Sequence, residues 1–391
     1  MLSDLRAFEV VLARATCPED VFGVALNLAA LKKSFHHIAV VVHPDKYATD
    51  AATSRLAQDL FAKLVVWMNS AEHKMERGTY GDRAPHEPAP PPKPKTALQI
   101  IETPKRRYVV KDLLAQGDVA DVYACTYVDK GRSGDGDHPA AFKIAQSAAD
   151  NDLMENESRT LSAMYPPAQK EERFYRYLPK PVDSFLLKSG GGAARRVNVM
   201  QLAEGYVSLA EVMAAYPHGL DYKDVVWMLK RNLAALWYCH RQKLVVHGCI
   251  IPTNLLVHPT GHGAKVVDWC YAVRDWPNDK DHVKAISKAW RAYYAPEILA
   301  KKPPTPSADL YMLAKIVVKL LGGEVAESSP SFLIPDAVPK PIRSFLSGML
   351  LMNPARRPDD GGKLHEEFDE LLLKLVGKPK YRPLVMPART A

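Results

Sequence analysis

Apolar positions near the start of the chain recur at helical intervals. Leu31, Phe35, Ile38 and Val42 follow one another at four, three and four residues. That spacing puts one stripe on a helix from about Ala29 to Val42 and leaves Lys32, Lys33, His36 and His37 on the other side. The helix must stop at His43-Pro44, because a residue before proline is pushed out of helical geometry, and Asp45 favours a turn. Leu56, Leu60, Leu64, Trp67 and Ala71, with Phe61 and Met68 beside them, predict a second helix of roughly eighteen residues. Packed antiparallel, the two make a hairpin with His43, Pro44 and Asp45 at its tip. Leu5, Phe8, Val11 and Leu12 predict an extra helix within residues 1–16. From Tyr108 the pattern changes to short β-prone runs, YVVKDLL, VADVYACTYV and PAAFKIA, and near Asn151 it returns to helical periodicity. After Glu211 helices dominate, as in Val226, Leu229, Leu233, Leu236 and Trp237. A small sheet lobe followed by a larger helical lobe is a two-lobed shape. The expected class is therefore α+β and multidomain, a small all-helical hairpin followed by a two-lobed fold.

Composition sharpens the division. A chain of 391 residues is too long for one ordinary core. Its 47% apolar and 25% charged residues are those of globular protein. Proline is unusual at 31 residues against 21 glycines, and six of the prolines fall between Pro85 and Pro94. Missing amide donors and fixed φ favour an extended spacer there. The expected boundaries are an extra helix over 1–16, a helical domain over 17–83, a proline-rich linker over 84–106, a two-lobed domain over 107–376 and a basic, proline-rich tail over 377–391, which either docks or stays loose. The five cysteines are odd in number, widely spaced and without a C-x-x-C, which argues for reduced thiols. With no long apolar run and no signal peptide pattern, the expected location is cytoplasmic, without a membrane partner. The net charge of +8 raises the question of nucleic acid, but residues 1–82 hold nine Lys/Arg against ten Asp/Glu and the rest of the excess is scattered. Phosphate-backbone binding is not expected.

From about Cys17 to Arg83 the sequence resembles the J domain of DnaJ-type co-chaperones. The resemblance is carried by a short helix around PEDVFG, the basic-faced second helix, HPDK at 43–46, and a long third helix ending in Asn69-Ser70-Ala71. It implies that His43, Pro44 and Asp45, with Lys32, Lys33 and His36 on the helix face, contact a DnaK-type chaperone and stimulate its ATP hydrolysis. A rigid turn there offers a carboxylate that an arginine can pair with. The alternative is a helical domain whose HPD merely caps helices. Near-neutral charge, with His36 and His37 where more lysine or arginine is usual, implies weaker or pH-sensitive docking.

Roughly residues 107–376 resemble the protein-kinase fold. Ala141-Phe142-Lys143-Ile144 matches V-A-I-K, which implies that Lys143 reaches the α- and β-phosphates of a nucleotide. Glu157, or alternatively Glu155, sits where a helix would offer that lysine a carboxylate. Met200 to Glu204 looks like the hinge, with backbone groups of Gln201 and Leu202 at an adenine edge. Asn254 and Asp268 match the two metal ligands. Glu297 in A-P-E, Asp309 in the long central helix and Arg357 match structural positions.

The departures are local. Where the family reads H-R-D-L-K-P-x-N, this chain reads His247-Gly248-Cys249-Ile250-Ile251-Pro252-Thr253-Asn254. Cys249 stands for the carboxylate that receives the substrate proton and Ile251 for the lysine that neutralises the transferring phosphate. Losing both removes part of the electrostatic environment on which phosphoryl transfer depends. Gly248 replaces an arginine that reads activation-loop phosphorylation, and from Asp268 to Glu297 only Ser287 carries an aliphatic hydroxyl. Trp269-Cys270 replaces F-G, and the missing glycine should stiffen that turn. In the phosphate loop AQGDVADV, Ala115, Gly117 and Ala120 occupy the glycine positions, so only Gly117 is retained, and Asp118 adds negative charge. Cys249 and Cys270 near the cleft read as small buried residues rather than a redox pair.

Taken together, the expectation is a J-domain co-chaperone and scaffold tethered to a pseudokinase that binds ATP or ADP with Mg2+ and holds an unidentified client. Two alternatives stay open. One is a weak or atypical ATP-dependent transferase using Cys249 or a water. The other is an inert assembly protein in which Lys143, Glu157 and Asp268 form an ion network without nucleotide.

Overall fold

The computed structural model describes all residues except 1, 16, 24, 26, 48–49, 77–79, 81–98, 132–135, 166–171, 189–191, 278–280, 327–331, 379 and 388–391. The chain divides into two compact units, Met1–Pro94 and Lys95–Ala391.

The first unit is built from α1 (Leu2–Arg14), α2 (Pro18–Phe22), α3 (Leu28–Val42) and α4 (Ala51–Glu76). Asn27 caps α3 by accepting from the Ala30 amide at 2.9 Å, and Asp50 caps α4 by accepting from the Thr53 amide at 3.1 Å. Alpha4 runs to 26 residues, longer than the expected stripe, and its last turns are held as well, with Met75 against the helical core and Lys74 joined to Glu19. Leu31, Val42, Leu60, Leu64 and Ala71 form the buried seam. Lys32 lies 3.8 Å from Glu72, so the start of α3 meets the end of α4 and the pair is antiparallel. Glu19 of α2 is joined to Lys74 of α4 at 2.8 Å. Leu5 and Leu12 of α1 are buried, but Val11, expected in the same stripe, is 40% exposed. It sits at the edge of that stripe, where α1 faces water.

In the second unit a six-stranded antiparallel sheet runs in the order β1-β2-β3-β4-β6-β5, from β1 (Gln99–Glu102), β2 (Arg106–Gln116), β3 (Ala120–Asp129), β4 (His138–Ala145), β5 (Pro181–Leu187) and β6 (Arg195–Gln201). Strand β1 corrects the expected linker. Of residues 84–106, 84–98 lie outside the described residues, but Gln99–Glu102 pairs with Arg107–Val110. Ile101 turns inward and is buried while Ile100 is exposed, the alternation of an edge strand.

Helix α5 (Asn151–Met164) packs on this sheet. The larger lobe contains α6 (Glu172–Tyr175), β7 (Val207–Ser208), α7 (Leu209–Ala215), α8 (Tyr222–Trp237), the hairpin β8 (Leu255–Val257) and β9 (Ala264–Val266), α9 (Pro296–Leu299) and α10 (Pro306–Leu320). It is completed by the strand pair β10 (Glu324–Val325) and β11 (Phe332–Leu333), then α11 (Lys340–Met349) and α12 (Gly361–Val376). Alpha10 is buried on every face, the position of a central helix. Leu229, Leu233, Leu313 and Phe368 share its core. The segment after α12 is docked: Leu384 is buried in the same core. Among the described residues no helix is long and apolar enough to cross a membrane.

Candidate functional site

The site of the second unit is organised around one buried lysine. Strand β4 is buried over its last four residues, Phe142–Ala145, and brings Lys143 within reach of Glu157 on α5. Its Nζ donates to Glu157 Oε1 at 2.9 Å, to Asp268 Oδ1 at 2.6 Å and to Cys270 Sγ at 3.3 Å. Burial works against the ammonium, but Asp268 and Glu157 outweigh it and hold the Lys143 pKa well above the ordinary lysine range. Burial likewise opposes the charge of Asp268, and Lys143 reverses the balance, so its carboxyl lies below the usual range. Glu155, the alternative partner, is turned away, with one oxygen toward Arg159 and the other 3.3 Å from Arg196.

Glu157 does more than hold the lysine. Its Oε1 also accepts from the Trp269 amide at 3.1 Å, and its Oε2 accepts from Asn198 Nδ2 at 2.9 Å. Asn198 donates in addition to the Met154 carbonyl at 2.8 Å. Asn156 donates to the carbonyls of Cys270 at 3.1 Å and Ala272 at 2.9 Å, and Asn151 bonds the Ala194 carbonyl and the Arg196 amide. None of these asparagines was among the residues expected at the site. Asn198 left a signal, a polar residue inside the apolar run Val197-Asn198-Val199-Met200.

On the opposite side of the cleft, Asn254 Nδ2 donates to the Cys249 carbonyl at 3.1 Å and lies 3.5 Å from Asp268 Oδ2. Asp268 has a positive φ of 65° and a side chain 32% exposed. Its left-handed backbone lets one oxygen reach Lys143 while the other turns toward Asn254. Cys249 is buried, with Sγ 3.1 Å from the Tyr294 hydroxyl. Burial is the main reason that its thiol titrates well above the usual range, with smaller contributions from Asp268 and, out of the phosphate loop, Asp118. Ile251 is buried in the large core. His247 donates from Nε2 to the Val267 carbonyl and accepts at Nδ1 from the Cys249 amide. Burial keeps its pKa below the ordinary histidine value, which suits the neutral ring.

Phosphate-loop geometry bears directly on a nucleotide. The Gly117 amide donates to Ala120 O at 3.0 Å, and a Cβ on Gly117 would stand 3.0 Å from the same oxygen. Gln146 Nε2 bonds the Gly117 carbonyl at 2.7 Å and Asp121 Oδ1 at 3.1 Å. Val119 is buried in a cluster with Ala145, Met154 and Cys270. The loop is thus folded toward the lysine end of the cleft, with Val119 packed beside Cys270 and Met154. At the hinge, the Gln201 amide donates to the Lys180 carbonyl and the Leu202 amide to the Pro139 carbonyl. Of the backbone groups expected to meet adenine, these two amides are engaged with the protein. The donor set itself fits a metal-bound nucleotide: a lysine held by a glutamate, and an asparagine and an aspartate side by side.

The three residues expected at structural positions, Glu297, Asp309 and Arg357, are buried. Arg357 and Glu297 form a buried bidentate pair at 2.7 and 3.1 Å, with the guanidinium over the Tyr311 ring. Asp309 accepts from the amides of His247 and Gly248, both at 2.8 Å, and from His240. It fixes the loop before Asn254. Trp269, at the position of a phenylalanine, is buried, donates from its indole to the Val266 carbonyl, and stands edge-on to His247 at 4.5 Å. Cys270 is buried too, in agreement with a small buried residue.

The family model described as "Protein kinase domain" matches residues 194–368. The second unit carries a protein-kinase-like domain. Similar curated proteins include Aurora kinase C of Mus musculus, 28% identical over 154 residues, which are 35% of this chain and 52% of that protein. A probable casein kinase II subunit alpha homolog of Encephalitozoon cuniculi is 30% identical over 103 residues, 26% of this chain and 31% of that protein. Serine/threonine-protein kinase CST20 of Candida albicans is 24% identical over 204 residues, 48% of this chain and 16% of that protein. The chain thus spans about half or less of the length of these relatives. Lys143 and Glu157 precede the residues matched by the family model, so their place in the kinase-like site rests on the distances above.

In the first unit, Pro44–Tyr47 forms a single 3-10 turn between α3 and α4. The side chains of Pro44 and Asp45 lie outside the described residues. His43 is exposed, its ring 5.2 Å from Phe61, and Lys32, Lys33, His36 and His37 are exposed along α3.

Proposed function

We propose that the kinase-like domain binds a purine nucleotide with a divalent cation and is impaired in transferring its phosphate. The observation that carries this reading is the assembled set of Lys143, Glu157, Asn254 and Asp268 around a catalytic loop whose carboxylate is replaced by Cys249. Lys143 would release Asp268 and bind phosphate oxygens, staying oriented by Glu157. Asn254 and Asp268 would hold the cation, which when bound neutralises phosphate charge. No group on the loop is poised to take a proton from an attacking hydroxyl, since the Cys249 thiol is buried and protonated. Thermal unfolding with millimolar ATP or ADP and Mg2+ tests this. A ligand that binds only the folded state at a hundred times its Kd stabilises by about 2.7 kcal/mol, and a melting point that does not move with Mg2+ or Mn2+ overturns the reading. A weak transferase is the second possibility compatible with the kinase relatives. It requires label from γ- or α-labelled ATP that disappears in Asp268→Asn.

For the first unit we propose the role of a DnaK-type chaperone's partner. Supporting it are the HPD turn between two antiparallel helices and the exposed Lys32, Lys33, His36 and His37 on one of them. In this reading the chain brings a chaperone to whatever the kinase-like domain holds, and tethering sets its local concentration. The intact protein is expected to stimulate the chaperone's ATPase, and His43→Gln to abolish that effect; equal rates would end the proposal.

A further inference from the structure

The segment after α12 is bound to the larger lobe in the manner of a peptide ligand. It lies across the end of α7, the first turns of α8 and the turn 258–263 between β8 and β9. Part of the binding uses only the segment's backbone. The Leu384 amide donates to the Pro259 carbonyl at 3.0 Å, the Arg382 carbonyl lies 2.8 Å from His262 Nε2, and the Val385 carbonyl accepts from the Tyr216 hydroxyl. The rest reads side chains. Arg382 forks onto Asp224 at 2.8 and 3.0 Å and lies 3.8 Å from Asp221, and Leu384 is only 4% exposed. Pro383 between them fixes an extended backbone and lowers the entropy lost on docking.

Two further observations point to an exchangeable ligand rather than a permanent part of the core. Much of the segment stays accessible although it is bonded: Tyr381, whose hydroxyl donates to the Thr260 carbonyl at 2.6 Å, is 63% and Val385 71% exposed, and the Arg382 side chain is 41% exposed where it meets the half-buried Asp224 and the open Asp221, so salt partly screens that pairing. The groove floor is also incompletely satisfied. His262 stacks on Trp227 at 4.1 Å and 2°, and the Trp227 indole N–H is buried with no acceptor among the described residues. A ligand offering an acceptor there would gain what the chain's own segment leaves unmade.

We infer that this groove is a peptide-docking site for a partner protein carrying an extended Arg-Pro-aliphatic segment, and that residues 380–387 occupy it in cis as its gate. The acidic pair Asp221 and Asp224 selects the arginine and the Leu384 pocket selects the aliphatic residue. Because the cis segment is tethered to α12, its effective concentration is on the order of millimolar. A partner's apparent affinity is therefore reduced by the fraction of time the groove is free.

The test uses a fluorescent peptide KYRPLVMP, its scrambled form, and the full chain with Arg382→Glu and Leu384→Asp to release the gate. Anisotropy should show the released protein binding the peptide at least tenfold tighter than the parent, and the scrambled peptide not at all. Adding Asp224→Asn to the released protein should weaken binding at least tenfold. Should the double variant fail to melt cooperatively, Arg382→Gln replaces it, with a threefold or greater gain expected. Equal binding by parent and folded released protein, or binding by neither, overturns the proposal. A parent dimer that vanishes on release would assign the groove to a second copy of the chain and overturn the partner assignment.

Discussion

Replacing Lys143 by methionine keeps the length and volume of the side-chain stem and removes only the cation at the centre of the site. The lysine side chain is 6% exposed and Glu157 is fully buried, while the Asp268 side chain is 32% exposed. Breaking a buried ion pair by deleting one partner costs about 3–5 kcal/mol, because the other charge is left without compensation. The low end applies here: Asp268 can regain water, and Glu157 keeps the Trp269 amide and Asn198. A loss of about 3 kcal/mol lowers the melting point of a domain this large by roughly 6–12 °C. The effect has a pH signature. In the parent, the depressed Asp268 pKa contributes stability that is present above the unfolded carboxylate value and lost only as pH falls through the still lower folded value. The raised Lys143 pKa contributes stability that persists until strongly alkaline pH. Between these limits the parent's contribution from this pair is flat. In Lys143→Met the carboxylates have lost their cation and bind protons more readily, so the gap to the parent should narrow as pH falls from 7 toward 5. Differential scanning calorimetry of both proteins at three pH values measures this. A shift below 2 °C at pH 7, or one independent of pH, would refute the view that the lysine is held by its two carboxylates.

Gln146→Ala should free the phosphate loop, whose tip it pins by two partly exposed hydrogen bonds; at about 1 kcal/mol, ATP affinity by isothermal titration should rise about fivefold, and unchanged affinity would show that the loop is not restrained there. Cys249→Asp with Ile251→Lys rebuilds the missing proton acceptor and phosphate cation beside Asn254. Positioned acid–base groups are worth about 10²–10⁴ in rate, so radiolabel transfer to a protein substrate should rise at least a hundredfold, and no gain would place the defect elsewhere. Arg357→Met leaves Glu297 buried without its bidentate partner. A stability loss of about 3–5 kcal/mol should appear as a lower urea midpoint, and a midpoint equal to the parent's would refute the pairing.

The residues legible from sequence are those whose role is written in a short local string. Lys143 inside Ala141–Ile144, Asn254 after Pro252 and Asp268 after two valines each occupy a strand end or loop whose neighbours set their geometry, and the fold brings the three together. The helical hairpin was legible for a similar reason, since two stripes of matching period have one economical way to bury each other. What was not legible depends on distant partners. Asn156 acquires its role only from carbonyls at 270 and 272, and Asn198 only from a helix that precedes it by more than thirty residues. Strand β1 was hidden by its prolines upstream and its brevity, and the docking of Leu384 by a pocket assembled from three remote segments. The partners of the Gln201 and Leu202 amides were not legible either, because strand pairing, not residue type, decides which way a backbone group faces.

Helix α5 is fastened by Asn151 at its start, Asn156 along one side and Asn198 reaching in from the sheet. A helix secured from three directions can shift only by breaking several of these bonds together. The consequence is that α5, the sheet and the 270–272 backbone are tied into one hydrogen-bonded block, so a change at any of the three is felt by the other two.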